Sequence, residues 1–182
     1  PAHTRHRALL MRLLTPKRLK DNEDYMWRNA DRQIDEFAAR GRCEFVRDYA
    51  GPFTLYVIAD LLGVPAEDHE WFREELQGGH QRGRALGSTG QGELGHTPLE
   101  FLYDRFTGYV EDRRRHPRQD VLTALATATF PDGSVPEVID VVRVAANLFS
   151  AGQETTVRLL AVAMQLIAER PDLQQTLRDQ PD

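Results

Sequence analysis

SVPEVIDVVRVAANLFSAGQETTVRLLAVAMQLIA, residues Ser134 to Ala168, is apolar for most of its length, with one proline near its start and one glycine in its middle. Pro136 sits where a first helical turn tolerates it, and Ser134 followed by Glu137 has the spacing of a capping box. The pattern predicts a single helix from about Val135 to Ala168, roughly three times the average length. RPDLQQTLRDQPD then begins another helix. Within the long one, AGQETT at Ala151 to Thr156 stands out. A mid-helix glycine costs about 1 kcal/mol relative to alanine, so Gly152 needs a reason, such as close approach of a flat ligand or a local distortion. The Thr155 hydroxyl can bond back to the Ala151 carbonyl and open a groove, and Glu154 is an ionisable group in an apolar run. From these residues alone, a packing glycine beside a surface acid and two satisfied threonines fits equally well.

Working outward, the rest of the chain also reads as helix. Leu9, Leu10, Leu13 and Leu14 recur at helical spacing until Thr15-Pro16 interrupts them. Leu19, Tyr25, Met26, Ala30, Ile34, Phe37 and Ala38 form a stripe over Pro16 to Arg40, with Gly41 as C-terminal cap. GPFTLYVIADLLGVP, Gly51 to Pro65, predicts a buried helix stopped by Gly63 and Pro65. Further helices are expected over Ala66 to Leu76, Thr97 to Arg115 and Asp120 to Phe130. Phe101, Leu102, Phe106 and Val110 face inward in the second of these, and Arg113-Arg114-Arg115 suits a helix C-terminus. The short CEFV run, Cys43 to Val46, is the one candidate strand. Seven glycines crowd into Gln77 to Thr97 and predict a mobile loop. The fold class is therefore all-α, mainly helical, with at most a short strand.

The composition, 41% hydrophobic and 28% charged over 182 residues, is that of an ordinary globular domain. A formal charge of −5 gives no whole-chain reason to expect nucleic acid, and the apolar runs are too interrupted to span a membrane. PAHTRHR has no secretory pattern, and Pro1 suggests that the chain begins within a longer sequence. One cysteine makes no internal disulfide and no multi-cysteine metal site, so a cytoplasmic location is expected. No acidic residue precedes Asp21, where six arginines and lysines gather, so an anionic partner could dock there. No Rossmann, P-loop or zinc-ligand spacing occurs.

The segment NLFSAGQETTVRLLAVAMQLIAERPDLQQTLR resembles the long central helix of the cytochromes P-450 and the helix after it. Ala151, Gly152, Glu154 and Thr155 match the family's small-Gly-x-acid-Thr pattern in order. HTRHRALLMRLLTPKRL, beginning at His3, resembles a second family segment. GRCEFVRDYAGPFTLYVIADLLGVPAED resembles a third, which packs and carries no chemistry. The resemblance covers nearly the whole chain, 1 to 182, as the central portion of a soluble bacterial type of P-450. It implies a heme-dependent monooxygenase that uses heme b. Ala151 and Gly152 would lie against the cofactor, Thr155 would hydrogen-bond the dioxygen being activated, and Glu154 would help deliver protons. His3 and Arg7, four residues apart on one helix face, would bind a heme propionate. The Gly-rich loop at 77 to 97 would act as a lid over the substrate channel.

The family's thiolate ligand is a cysteine in a Gly-rich loop far downstream, and Cys43 lies in the wrong segment, so no metal ligand is assigned here. As given, the chain is expected to be a fragment that holds no thiolate-ligated heme and is inactive alone. In the whole enzyme a small organic substrate and a ferredoxin or flavodoxin-like redox partner are implied, the partner meeting the basic early helix. The alternative is a non-catalytic all-helical ligand-binding or self-associating domain.

Overall fold

One unbroken α-helix spans Val138 to Glu169 in a computed structural model of the chain, which describes residues 7, 9, 15–76, 100–130 and 132–180. Numbered in chain order, the described helices are α1 (Pro16–Asp21), α2 (Glu23–Ala38), α3 (Gly51–Leu62), α4 (residues 69–76) and α5 (Glu100–Arg115). They continue with α6 (Val121–Ala126), α7 (Val138–Glu169) and α8 (Pro171–Asp179). A π-helical turn, Val46–Ala50, runs into α3, and a 3-10 turn, Ala66–Asp68, leads into α4. Among the described residues there is no strand.

The amino half of α7 is the centre of the core. Val141, Val142, Val144, Ala145, Ala146 and Phe149 are buried, and this half packs chiefly on α5 and α3. Phe72 of α4, Phe106 of α5 and Phe149 of α7 meet in a three-ring cluster with centroids 5.0 to 6.2 Å apart. All three are fully buried. Each such ring contributes about 1.5–3 kcal/mol by leaving water, which makes this cluster the joint of three helices.

The end of α3 is set by backbone geometry. Gly63 adopts φ +87°, its N–H bonds the Asp60 carbonyl at 2.9 Å, and Val64 N–H bonds the Ala59 carbonyl at 2.9 Å. This is a Schellman ending, which the sequence had placed at Gly63. A Cβ here would lie 2.4 Å from that of Asp120, so the turn also permits the approach of α6.

Several expectations are corrected. Cys43 to Val46 forms no strand: Glu44 caps the following turn instead, its carboxylate accepting from Arg47 N–H at 2.6 Å while Glu44 N–H donates to Asp48 at 2.9 Å. A lone four-residue run has no partner to share its backbone bonds, whereas the cap satisfies them locally. The helix expected over Pro16 to Arg40 divides at Asn22, after a short helix that Thr15 and Pro16 begin. Its apolar stripe does not all face inward, since Leu19 and Ile34 are exposed while Asn29 and Gln33 are buried. Asn29 donates to the Phe53 carbonyl at 3.1 Å, a polar clasp that decides which face of α2 meets α3. Ser134 does not cap α7: it bonds Asp132, and the helix begins after Glu137 with no side-chain cap. The helix expected from Asp120 to Phe130 is confined to Val121–Ala126, with Asp120 as its cap.

The arginine run ends α5 as expected but does more than face solvent. Arg113 is 2% exposed and donates to Asp120 at 2.7 Å and to the Gly63 carbonyl at 2.9 Å. Arg114 donates to the Ala126 and Pro136 carbonyls at 3.0 and 2.8 Å. The Gly-rich stretch at 77 to 97 lies outside the described residues.

Candidate functional site

Halfway along, α7 leaves its neighbours. Of the large apolar side chains in its carboxyl half, Leu159, Val162, Met164 and Leu166 are exposed, and AGQETT stands at the boundary between covered and open helix. At 3.6 residues per turn, Ala151 and Thr155 share one side. Both are exposed, and the Thr155 hydroxyl donates to the Ala151 carbonyl at 2.7 Å, as its position in the sequence anticipated. The carbonyl thus holds two donors, and the Thr155 oxygen keeps its lone pairs toward the open side. The expected irregularity takes no form that interrupts the helix.

Gly152 lies beside this pair round the helix and meets α3. A Cβ built on it would lie 2.9 Å from Ile58 Cδ1 and 3.1 Å from Ile58 Cγ1, so its bare Cα lets Ile58 of α3 pack against α7. Glu154 lies on the solvent side and is bound by Arg158 one turn on, an exposed pair at the spacing that helices favour. The structure therefore brings Ala151 and Thr155 together, sets Glu154 beside them at the surface, and gives Gly152 a packing partner. Arg7 is exposed, and His3 lies outside the described residues, so their shared propionate role keeps its standing as an expectation. Cys43 is exposed in the turn before the π-helix. Among the described residues there is no cluster of three or more metal-ligating side chains, and no helix long and apolar enough to cross a membrane.

Ile58 was not singled out by sequence reading. The run VIADLL marks it as core, but nothing in one dimension says which apolar residue of α3 will meet the glycine of α7. Arg158 was legible, four residues after Glu154.

No family model matches the chain. Individual relatives do. Cytochrome P-450 109 of Bacillus spizizenii is 28% identical, with the alignment covering 100% of this chain and 45% of the relative. Among solved structures, substrate-free cytochrome P-450 CYP150A6 of Mycobacterium marinum is 55% identical with a TM-score of 0.84, covering 100% of this chain and 40% of that one. Streptomyces peucetius CYP105P2, in complex with a biphenyl compound, is 29% identical with a TM-score of 0.82 and is matched over 44% of its length. The chain spans less than half the length of these relatives. With likeness in sequence and in fold running from end to end, the chain belongs to the cytochrome P-450 superfamily.

Proposed function

We propose that this chain supplies the oxygen-side face of a heme-dependent monooxygenase that inserts oxygen into a small organic substrate. The observation that carries the reading is the Ala151–Thr155 pair, exposed on a helix that α3 approaches at Gly152. The residues fit a flat, largely apolar cofactor: a methyl at Ala151 leaves room, and Leu159 and Val162 extend the same open side with apolar surface. Ala151 and Thr155 would lie against it, with His3 and Arg7 as candidates for its propionates. When bound, heme supplies the iron at which dioxygen is activated.

The chain's own contribution is to position and protonate. Thr155, pinned by its bond to Ala151, presents its oxygen at a constant place and can pass a proton without swinging away. Glu154, held by Arg158 at the surface, is placed to take protons from water and hand them inward. A ferredoxin or flavodoxin-like protein is the proposed electron donor.

The test is coupling. In the whole heme-loaded enzyme, Thr155→Val should leave heme content intact while several times more of the reducing equivalents end as hydrogen peroxide instead of product. Unchanged coupling would remove the role of Thr155 and the reading built on it.

A further inference from the structure

We infer that Ile58 is a positioning residue for the Ala151–Thr155 face, its side chain setting how closely and in what rotation α7 lies on α3. The inference rests on the monooxygenase reading and adds to it a residue from a different helix. Ile58 is 7% exposed, and a methyl group on residue 152 would stand 2.9 Å from its Cδ1 and 3.1 Å from its Cγ1. Carbon atoms are in comfortable contact at about 3.5–4.0 Å, so Cδ1 must shift and Cγ1 must give by a few tenths of an ångström. Rotation about the outer bond of Ile58 moves Cδ1 alone. Cγ1 moves only with the first torsion, which a β-branched residue in a helix holds in one strongly preferred state. A close-packed interior offers little space for that change, so the strain is relieved by α7 moving off α3.

Any such movement reaches the functional face directly. Ala151 lies about 100° and Thr155 about 60° round the helix from Gly152, within one turn along its axis. Both side chains travel with the backbone that Ile58 supports. Displacement of about 1 Å at reacting groups is enough to cost two orders of magnitude in rate. Gly152 is accordingly required by its neighbour in α3, and the position of Thr155 follows from that contact.

A double substitution tests this with two readouts. Thermal unfolding of the 182-residue chain is compared for Gly152→Ala, Ile58→Val and the pair. The whole heme-loaded enzyme with the same changes is assayed for the share of reducing equivalents lost as hydrogen peroxide, at equal heme content. Gly152→Ala should lower the midpoint and raise the peroxide share severalfold. Ile58→Val, which removes the atom at 2.9 Å, should change both less than Gly152→Ala does and should recover part of both losses in the pair. If Gly152→Ala does not fold by itself, folding of the pair gives the same answer, and its failure the opposite one. Losses that simply add would show that Ile58 is not what Gly152 makes room for. Recovered stability with an undiminished peroxide share would reduce Ile58 to packing. Thr155→Val, measured alongside, separates the two ideas: no effect there overturns the monooxygenase reading, whereas a normal effect without rescue overturns the role of Ile58 alone.

Discussion

Arg113 and Arg115 stand two residues apart in one basic run, yet Arg115 is exposed and Arg113 is sealed in, joining α5 to the start of α6 and the end of α3. A guanidinium in that place holds the Asp120 carboxylate and a turn carbonyl at once, which its planar fork allows and a lysine's single head does not. Arg113→Met should cost about 3–5 kcal/mol, because it leaves Asp120 partly buried without its counter-ion. Urea unfolding measures it, and a loss under about 1 kcal/mol would place the cluster among ordinary surface pairs. At this scale the sequence spoke for Thr155, whose bond to Ala151 needs only helical spacing. It was silent on Arg113, because burial of a charge depends on partners 7 and 50 residues away.

The turn that leads into α3 shows how local bonds outcompete a strand-like pattern. Phe45, Tyr49 and Phe53 stack one turn apart, with centroids 5.3 and 5.5 Å apart, and Glu44 and Asp48 cap the turn beneath them. The hydrogen bond from Arg47, and after it that from Glu44 N–H, holds the Asp48 carboxyl down at about 2. A carboxyl with a lowered folded-state value stabilises the fold above its ordinary value near 3.8 and loses that contribution as pH falls through about 2. The ring resonances of Phe45 and Tyr49 should therefore shift between about pH 4 and pH 2 as the cap lets go, and Asp48→Asn should abolish the transition. Ring shifts indifferent to pH in that window would remove Asp48 from the cap.

Seen whole, the molecule has a closed side and an open one. The amino half of α7 is enclosed by α3, α5 and α6, while its carboxyl half and α8 leave Leu159, Val162, Leu166 and Leu177 exposed. Leu159, Val162 and Leu166 recur on one side of α7 at helical spacing and seek cover, so sedimentation of the 182-residue chain should show concentration-dependent association that Leu159→Lys with Val162→Lys disperses. A chain that stays monomeric at high concentration, with or without those changes, would contradict it. Most of the helices, the stop at Gly63 and the Ala151–Thr155 bond were determined by the sequence itself, because each depends on residues within one or two helical turns of one another. Which face of α2 turns inward, where Arg113 finds its partners and what Gly152 makes room for were decided only by the tertiary structure. Those choices are settled by contacts between residues far apart in the chain, whose meeting depends on how every helix packs at once.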